Sequence, residues 1–345
     1  MPRTQVLVAG DHFVTDALIR AALDAELGAD ALSATTLTLP WPYTPYGRVA
    51  EVDEASGDED SLIAALAGAQ VAVTQMAPFT ERVLAASDAL KLIVCCRGGP
   101  VNINVPAATE RGIAVCTTPG RNAVAAAEHT VALLLSALRQ IPQRHVSVQA
   151  GEWRSDLYAL TECGSELAGA TVGLVGYGAI GRRVARILTA FDAEVLVHDP
   201  YLPTDAEVTS TPLPELLSRS TVVSLHARLS DETRGMIGAA ELAAMPRGAT
   251  LVNTARGGLV DYPAVVAALD SGQLGAAAFD VYETEPVDPA SPLLTAPHTA
   301  LTPHLAGATV QTAQRAARLA ATAVGAYLRG ETPPALANPD ALAVS

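Results

Sequence analysis

Short apolar runs alternate with amphipathic stretches over most of this 345-residue chain. The apolar runs predict buried strands, and stretches with apolar residues at a 3.6-residue period predict helices. Predicted strands span residues 6–9, 71–74, 90–95, 171–175, 194–198, 222–225, 250–252 and 276–279. Predicted helices span residues 14–27, 62–67, 124–139 and 263–269, the last with Asp261 as a candidate N-cap. Strands that alternate with helices are typical of parallel sheets in doubly wound α/β domains.

Two segments between these elements show neither pattern. Residues 39–46 are rich in proline and aromatic residues and must form a loop. Trp41 and Tyr43 in this loop either line a substrate pocket or pack the loop itself, and the sequence supports both interpretations equally. Residues 51–60 are acidic, so we expect them to be exposed.

The length of the chain is sufficient for two domains, each with its own core. Half of the residues are hydrophobic, but no uninterrupted apolar run is long enough to span a bilayer. The most apolar segment, 124–138, contains Glu128 and His129 and therefore predicts a buried helix. The N-terminus passes directly into the first strand, which does not match a signal peptide. We therefore expect a cytoplasmic protein without membrane contacts.

The formal net charge of −14 at pH 7 argues against nucleic-acid binding, and no basic run is present. In such a chain, arginines near a ligand site are informative, because an anionic substrate requires them. The four cysteines, Cys95, Cys96, Cys116 and Cys163, form no C-x-x-C pattern. Since Cys95 and Cys96 are adjacent in a strand, they point to opposite faces. These spacings favour buried structural thiols over a disulfide or a metal site.

The segment 171–182 combines an apolar strand, a glycine-rich turn and the start of a helix. Gly176, Gly178 and Gly181 fit the spacing G-x-G-x-x-G. The first glycine permits a tight turn, the second lets backbone approach a pyrophosphate, and the third lets the helix pack close to the strand. The N-terminus of that helix then binds phosphates through its N–H groups and the positive end of its dipole.

A second strand after this helix ends at Asp199, 18 residues beyond Gly181. The ribose-binding acid of a dinucleotide fold is expected after about 20 residues. A carboxylate at this position accepts hydrogen bonds from the ribose hydroxyls and repels a 2′-phosphate, which favours NAD over NADP. The alternative is that Asp199 only begins an Asp-Pro turn.

Three later motifs lie at the ends of predicted strands, where open α/β sheets bind ligands. They supply Arg256, Glu285 and His304. Transfer of a hydride to a 2-keto acid requires a proton for the developing alkoxide, which a histidine can donate near neutral pH. A neighbouring carboxylate favours the protonated imidazole, and an arginine binds the substrate carboxylate and polarises its carbonyl through bonds worth about 1.5–3 kcal/mol each.

These motifs together resemble those of the D-isomer-specific 2-hydroxyacid dehydrogenases, the group that includes phosphoglycerate dehydrogenase. The likeness covers roughly residues 70 to 335, with its motifs in the family's order. The matching segments are CRGGPVNINVPAATERGIAV, GYGAIGRRVA, VSLHARLSDETRGMI, NTARGGLVD, FDVYETEP and LTPHLAGAT.

The resemblance implies two α/β domains with doubly wound parallel sheets, Rossmann-like or flavodoxin-like, and a cleft between them. Residues 1–122 and 308–345 would form a discontinuous substrate domain, and residues 123–307 an inserted NAD-binding domain. The resemblance also implies a homodimer to which the helix 124–139 contributes. An ordinary core helix fits the same pattern equally well.

Carried over by position, Arg256 resembles the substrate-binding arginine, Glu285 the acidic partner and His304 the acid/base. Glu283 is the less favoured partner, because the match aligns the Glu-Pro pair. The resemblance places the substrate carboxylate at the loop Arg97, Gly98 and Gly99. The expected cofactor contacts are Gly176, Gly178, Ala179, Ile180, Gly181, Asp199, His226, Ala227, Thr254, Ala255, Asp280 and His304. His226 has an alternative role in a structural hydrogen bond.

The chain departs from the family pattern at a few positions. Arg228 replaces a frequent proline, Asn102 and Asn104 lie in a segment that is usually Asp-Asn-x-Asp, and Arg121 replaces a common glycine. Arg97 and Arg121 could add positive charge near a substrate, which leads to the hypothesis of a phospho- or phosphono-bearing substrate. The alternative is that both arginines pair with surface carboxylates.

The sequence thus predicts an NAD-dependent oxidoreductase that reversibly reduces a 2-keto acid to the (R)-2-hydroxy acid. Two other functions stay open. Some relatives are NAD-sensing corepressors, although this acidic chain shows no peptide- or nucleic-acid-binding feature. Other relatives oxidise phosphite or formate, and fold alone does not fix the chemistry.

Overall fold

The computed structural model describes residues 3–41, 47–202 and 208–343. The chain divides into two compact units. The first unit contains Met1–Asn122 and Ala308–Ser345, and the second contains Ala123–Gly307. Tyr43, a candidate pocket residue, lies outside the described residues. Trp41 stacks on the ring of His12, with ring centroids 5.7 Å apart.

Strands and helices alternate along the described residues, as the apolar pattern predicts. The strands are β1 (Thr4–Gly10), β2 (Leu32–Thr38), β3 (Gly47–Val49), β4 (Val52–Ala55), β5 (Val71–Thr74), β6 (Leu92–Cys95), β7 (Ala114–Cys116), β8 (Thr171–Val175), β9 (Glu194–His198), β10 (Val222–Leu225), β11 (Ala249–Asn253), β12 (Leu274–Phe279) and β13 (Thr299–Leu301). The helices are α1 (Asp16–Leu27), α2 (Glu59–Ala65), α3 (Glu81–Ala85), α4 (Val105–Glu110), α5 (Ala123–Leu138), α6 (Ile141–Gln149), α7 (Gly181–Thr189), α8 (Leu213–Arg219), α9 (Ala239–Ala244), α10 (Tyr262–Asp270) and α11 (Val310–Leu328).

The first unit is built on a parallel sheet with the strand order β2-β1-β5-β6-β7. Its faces are covered by different helices: α1 and α11 pack on one face, and α2, α3 and α4 pack on the other. The chain reaches β2 from β1 through α1, and it reaches β5 through α2 on the opposite face. The two neighbours of β1 are therefore reached on opposite faces, which makes the β1–β5 boundary a topological switch point.

The second unit has the same construction. Its parallel sheet has the order β13-β12-β11-β10-β8-β9. Helices α5 and α7 pack on one face, and α8, α9 and α10 pack on the other. Since β9 is reached through α7 and β10 through α8, the switch point lies between β8 and β10. Both units thus confirm the predicted α/β class with doubly wound parallel sheets.

Side-chain caps begin several of these helices. Each capping oxygen accepts a hydrogen bond from a backbone N–H in the first helical turn, which is worth about 1 kcal/mol. The predicted cap Asp261 is confirmed, since its Oδ1 accepts from the N–H of Ala264 at 3.1 Å. Further caps are Thr15, Asp58, Thr80, Asn104 and Thr309.

Some predictions from the pattern need correction. The acidic segment 51–60 is only partly exposed, because β3 and β4 pair as an antiparallel hairpin and bury Val52 and Ala55. The pattern does not predict strand β2, because this strand is rich in serine and threonine and lies at the edge of the sheet. Cys163 is exposed, whereas the other three cysteines are buried. Cys95 and Cys96 face opposite sides of the first sheet, as predicted.

Helix α5, the most apolar predicted helix, packs on the second sheet. Thr130, Val131 and Leu134 are among its buried residues. The interpretation of α5 as a core element therefore fits its burial. Across the described part of the chain, no helix combines the length and apolarity needed to cross a bilayer.

Candidate active site

The glycine turn between β8 and α7 lies at the switch point of the second unit. Gly176 has a φ of 100°, and a Cβ there would come within 2.6 Å of the backbone carbon of His226. A Cβ on Gly181 would collide with the carbonyl oxygen of Gly176. At Gly178, in contrast, a Cβ would meet no atom within 4 Å. The outer glycines therefore close the turn, and the central one leaves room for a phosphate to reach the backbone, next to Ala179 and Ile180.

Asp199 follows β9, beside this turn. Its Oδ2 accepts a hydrogen bond from the N–H of Tyr177 at 2.8 Å, and its Oδ1 accepts from the N–H of Tyr201 at 2.9 Å. Each carboxylate oxygen retains a further lone pair, so it can still accept a ribose hydroxyl. The open face at Gly178 and this carboxylate fit the pyrophosphate and ribose of NAD.

Arg256 projects from the loop after β11. The buried side chain of Asn253 closes this loop, because its Nδ2 donates to the carbonyl of Arg256 at 2.9 Å and its Oδ1 accepts from the N–H of Ala255 at 3.0 Å. Thr254 is bonded to the hydroxyl of Thr130 at 2.6 Å. The Arg256 side chain is exposed and bonded to its own loop through the carbonyl of Ala255 at 2.7 Å. Its guanidinium is therefore accessible to an anionic ligand.

The next residue, Gly257, holds the arginine loop against the loop after β12. A Cβ on Gly257 would overlap the carbonyl group of Tyr282. The N–H of Tyr282 in turn donates to Oε1 of Glu285 at 3.0 Å. Close backbone packing thus fixes the spacing between the segments that carry Arg256 and Glu285.

Glu285 and His304 form a hydrogen-bonded ion pair. Oε2 of Glu285 accepts from Nδ1 of His304 at 2.7 Å. This bond uses Nδ1 and leaves Nε2 for a proton exchanged with a ligand. Glu283, the less favoured partner, is exposed. The structure therefore pairs His304 with the glutamate of the Glu-Pro motif.

The pair favours its charged form. The hydrogen bond to Glu285 raises the pKa of His304 above its ordinary value, against partial burial and the opposing charge of Arg256. Burial opposes the ionisation of Glu285, but hydrogen bonds from His304 and Tyr282 outweigh it and lower the pKa of this carboxyl. The imidazole can thus stay protonated at a pH where an isolated histidine would be neutral.

Asp280 holds the loop that carries His304. This fully buried carboxylate accepts from Thr302 Oγ1 at 2.6 Å and from the N–H groups of Leu305 and Ala306, both at 2.8 Å. Burial disfavours its charge, but these bonds and His129 lower the pKa of Asp280 below its ordinary value. The backbone of His304 has a φ of 55°, in the left-handed region, and donates its N–H to the carbonyl of Asp280 at 2.7 Å. Asp280, which the sequence predicts as a cofactor contact, therefore also holds the loop that carries His304.

His129 and Asn253 also support the loops of the site, and the sequence patterns did not predict them. Nε2 of His129 lies 3.0 Å from Thr302 Oγ1 and 3.4 Å from Asp280 Oδ1, so α5 supports the same loop. A polar pair inside the most apolar helix was the only sequence signal for His129. Asn253 lies within the NTARGGLVD motif, but the chemistry expected of this motif depends on Arg256.

The side chain of His226 forms a hydrogen bond within its own unit. Its Nε2 is 2.9 Å from the hydroxyl of Ser224, and burial lowers the pKa of His226 to about 4. It is therefore neutral at physiological pH and not a proton donor. Its backbone and that of Ala227 line the glycine turn.

In the first unit, the loop after β6 carries the predicted carboxylate site. A Cβ on Gly98 or Gly99 would meet no atom within 4 Å, and neither N–H has a hydrogen-bond partner among the residues described. Arg97 is paired with Glu54 and donates to the Glu54 carbonyl at 3.3 Å. The backbone of the glycine pair is therefore available to an anion, whereas the charge of Arg97 is already compensated.

The other residues that depart from the family pattern lie in different environments. Asn102 is buried and donates to the carbonyl of Ala77 at 2.8 Å, and Asn104 caps α4. Arg228 is exposed. Within the described parts of the chain, the guanidinium of Arg121 takes part in no hydrogen bond or ion pair. The alternative of carboxylate pairing thus holds for Arg97 but not for Arg121.

Comparisons with known proteins agree with this geometry. Residues 131–306 match the family model described as D-isomer specific 2-hydroxyacid dehydrogenase, NAD binding domain. The chain is 41% identical to a glyoxylate reductase of Thermofilum pendens over 76% of this chain and 79% of that relative. It is 37% identical to the D-3-phosphoglycerate dehydrogenase of Mycobacterium tuberculosis over 92% of this chain, which spans 59% of that relative. Among solved structures, the TT0316 protein of Thermus thermophilus matches with a TM-score of 0.79 and 33% identity, over 97% of this chain and 100% of that one.

Proposed function

Because the chain belongs to the D-isomer-specific 2-hydroxyacid dehydrogenase family, with NAD as its cofactor, we propose that it interconverts a 2-keto acid and the (R)-2-hydroxy acid. The observation that carries the proposal is the 2.7 Å bond between Glu285 and His304. It favours the protonated imidazole and leaves one ring nitrogen free, as reduction of a carbonyl group requires.

Each residue of the site has a distinct task in this reaction. NAD, when bound at the glycine turn and Asp199, supplies or accepts the hydride. His304 donates a proton from Nε2 to the substrate oxygen during reduction and removes it during oxidation. Glu285 keeps the imidazole oriented and charged. Arg256 binds the substrate carboxylate and polarises the carbonyl oxygen.

We propose that the backbone of Gly98 and Gly99 binds a carboxylate group. Their N–H groups have no partner among the described residues, and two backbone donors suit a carboxylate. The hypothesis of a phospho- or phosphono-bearing substrate rests on the positive charge of Arg97 and Arg121. Arg97 is already paired with Glu54, so the case for a second anionic group depends on Arg121 alone.

We also propose that the protein is a homodimer, with apolar residues outside α5 as part of its interface. Helix α5 is largely buried within its own unit, but α6 and the segment after it expose large apolar side chains. Trp153, Tyr158 and Leu160 are 86%, 92% and 93% exposed. Because apolar surface of this kind is unusual on a monomer, a second copy is the proposed cover. Light scattering during size-exclusion chromatography would show a dimer, and the double variant Trp153→Ser/Leu160→Ser would shift it towards a monomer.

The activity is tested by following NADH consumption over 2-keto acids that differ in size and charge. We expect turnover with at least one acid and its loss in the variant His304→Ala. NADH binding without consumption on the whole panel would contradict the proposed function and would favour a cofactor-sensing protein.

A further inference from the structure

Arg182 contacts the glycine turn of the second unit through both its backbone and its side chain. It follows Gly181, and its N–H donates to the carbonyl of Gly178 at 3.1 Å. Its Nε donates to the carbonyl of Tyr177 at 3.0 Å, and its guanidinium carbon lies 5.6 Å from the centre of the Tyr177 ring. The side chain of Arg182 therefore folds back from α7 along the turn, next to the peptide bond between Tyr177 and Gly178.

The terminal nitrogens of this guanidinium have no partners among the described residues. The bond to Tyr177 uses only Nε, and Nη1 and Nη2 take part in no hydrogen bond or ion pair there. The residue is also exposed. A guanidinium can give two parallel hydrogen bonds to one phosphate group. Arg182 is thus a cation held at the turn with donors still available to an anion.

Backbone donors lie beside this cation. The N–H groups of Gly178, Ala179 and Ile180 have no hydrogen-bond partner in the part of the chain that the structure describes. A Cβ on Gly178 would meet no atom within 4 Å, so the backbone here is open. These N–H groups carry only partial charges, whereas the pyrophosphate of a dinucleotide is a dianion and meets a protein of net charge −14. A full positive charge at the turn offsets that repulsion.

Tyr177 links Arg182 to the ribose-binding acid. The N–H of Tyr177 donates to Oδ2 of Asp199 at 2.8 Å, and the carbonyl of Tyr177 accepts from Arg182. Within the described residues, Asp199 and Arg182 form no ion pair with each other, so the cation does not neutralise the carboxylate. Through one residue, the turn thus holds a carboxylate that suits ribose hydroxyls and a guanidinium that suits a phosphate.

We propose that Arg182 binds the pyrophosphate of NAD and supplies the charge-assisted part of its affinity. Nη1 and Nη2 donate to phosphate oxygens, while Nε keeps its bond to Tyr177 and the tyrosine ring supports the guanidinium. The sequence predicts glycine backbone and the N-terminus of α7 as the phosphate site. This contact adds a charged side chain to that site.

The 2′-phosphate of NADP is a less suitable ligand for Arg182. That phosphate is attached to the ribose whose hydroxyls Asp199 accepts, and the carboxylate repels it. The pyrophosphate, in contrast, is the group that reaches the open backbone at Gly178. The position of Arg182 beside Gly178 therefore favours the pyrophosphate.

The test measures binding without substrate, by isothermal titration calorimetry with ADP-ribose and adenosine as the probes. ADP-ribose contains the pyrophosphate, and adenosine contains only the base and the ribose. Charge-assisted hydrogen bonds are worth about tenfold to a hundredfold in affinity, so Arg182→Leu should bind ADP-ribose more weakly by that factor. Its affinity for adenosine should be unchanged. Added KCl should weaken ADP-ribose binding less in this variant than in the wild type, because one charged contact is gone.

Two further variants separate binding from a structural role. Arg186→Leu is the matched control, because Arg186 is exposed one turn further along α7 and has no hydrogen bond to the glycine turn within the described residues. It should leave the affinity for both probes unchanged. Arg182→Lys keeps the charge but cannot give two parallel bonds, so it should recover part of the affinity for ADP-ribose that Arg182→Leu loses.

Three results would overturn the inference. One is an Arg182→Leu protein that binds ADP-ribose as tightly as the wild type. Another is an equal loss for ADP-ribose and adenosine, which would mean that Arg182 only shapes the turn beside Asp199. The third is a loss of affinity for NADPH with none for NADH, which would assign the arginine to a 2′-phosphate. None of these measurements needs turnover, so a failure to reduce any 2-keto acid would contradict the proposed function and leave the result for Arg182 intact.

Discussion

Glu285 bonds His304 through one carboxylate oxygen and the N–H of Tyr282 through the other. The glutamate therefore cannot turn away from the imidazole without breaking a bond to its own loop. This arrangement fixes which ring nitrogen is free and favours the charged form of the imidazole. The pH dependence of the reaction should therefore depend on both Glu285 and His304.

The variant Glu285→Gln should move the pH profile of the reduction. Reduction requires protonated His304, so its kcat/KM falls as the pH rises through the pKa of His304, which Glu285 raises. A neutral glutamine removes most of that effect, and the fall should begin at lower pH. The measurement is kcat/KM for the reduction from pH 5 to 9, with the exposed Glu283→Gln as the matched control. An unchanged profile in Glu285→Gln would contradict the pairing.

Loss of the imidazole should stop catalysis without preventing cofactor binding. We expect His304→Ala to lower kcat by about 10²–10⁴-fold, the usual contribution of a general acid. NADH affinity, measured by fluorescence titration, should change little, because the glycine turn and Asp199 lie on other loops. His298→Ala, at a histidine of the turn before β13, should retain full activity. A His304→Ala enzyme with wild-type turnover would refute the assignment.

Asp280→Asn should weaken both the fold and the catalytic step. In the variant, an NH₂ group replaces a carboxylate oxygen that now accepts hydrogen bonds. We therefore expect the free energy of unfolding to fall by about 1–3 kcal/mol. Because folding lowers the pKa of Asp280, its stabilising effect is present above the unfolded value and is lost as the pH falls through the folded value.

Urea unfolding at neutral and acidic pH measures this effect, and the difference between wild type and variant should shrink in acid. kcat should fall more than KM rises, because the loop holding His304 is no longer fixed. The exposed Asp231→Asn provides the control. Equal stability of Asp280→Asn and wild type at neutral pH would show that the loop is held by other contacts.

Asp199→Ala should relax the choice of cofactor. Without the carboxylate, the ribose loses hydrogen-bond acceptors and a 2′-phosphate is no longer repelled. We expect KM for NADH to rise about tenfold and the discrimination against NADPH to shrink by a similar factor. Steady-state kinetics with both cofactors measure this, and the exposed Asp192→Asn on the preceding loop should leave both values unchanged. An unaltered preference for NADH over NADPH would mean that Asp199 only stabilises the turn in which it lies.

Asp11→Asn should make the protein more stable at neutral pH. Burial raises the pKa of Asp11, against its bonds to Val14 and Phe13 and the charges of Arg121 and His12. The contribution of this carboxyl is therefore complete below its unfolded pKa and is lost as the pH rises through the folded value. Thermal unfolding should show a higher midpoint for the variant at pH 7, with the gap closing towards pH 4. A lower midpoint at pH 7 would show that the carboxylate of Asp11 stabilises the fold there.

Much of the second unit could be predicted from sequence because its signals are local. The glycine turn, Asp199 and the motifs of Arg256, Glu285 and His304 each lie in a short segment at the end of an apolar strand. The family comparison confirms the resemblance that these motifs carry and NAD as the cofactor. Strands 71–74 and 222–225 have the predicted bounds, since a buried strand in a parallel sheet leaves a continuous apolar run. Strand 194–198 also has its predicted bounds, although it lies at the edge of the sheet.

The remaining features depend on residues that are distant in sequence. Arg97 meets Glu54 across 43 residues, and His129 meets Thr302 across 173. No periodicity predicts which charge finds a partner and which, like that of Arg121, does not. Among the described residues, the buried Oδ2 of Asp11 and Oε1 of Gln75 have no hydrogen-bond partner, and this too is visible only once the strands are ordered in the sheet.

The position of α11 has a consequence for how the protein is made. One face of the first sheet is covered only by α1 until residues 310–328 leave the ribosome, when every residue of the second unit has already been synthesised. The inserted unit can therefore fold on a growing chain, while the unit around it waits for its last helix. A chain that stops before Val310 would expose part of the valine-rich face of that sheet to solvent and to other nascent chains.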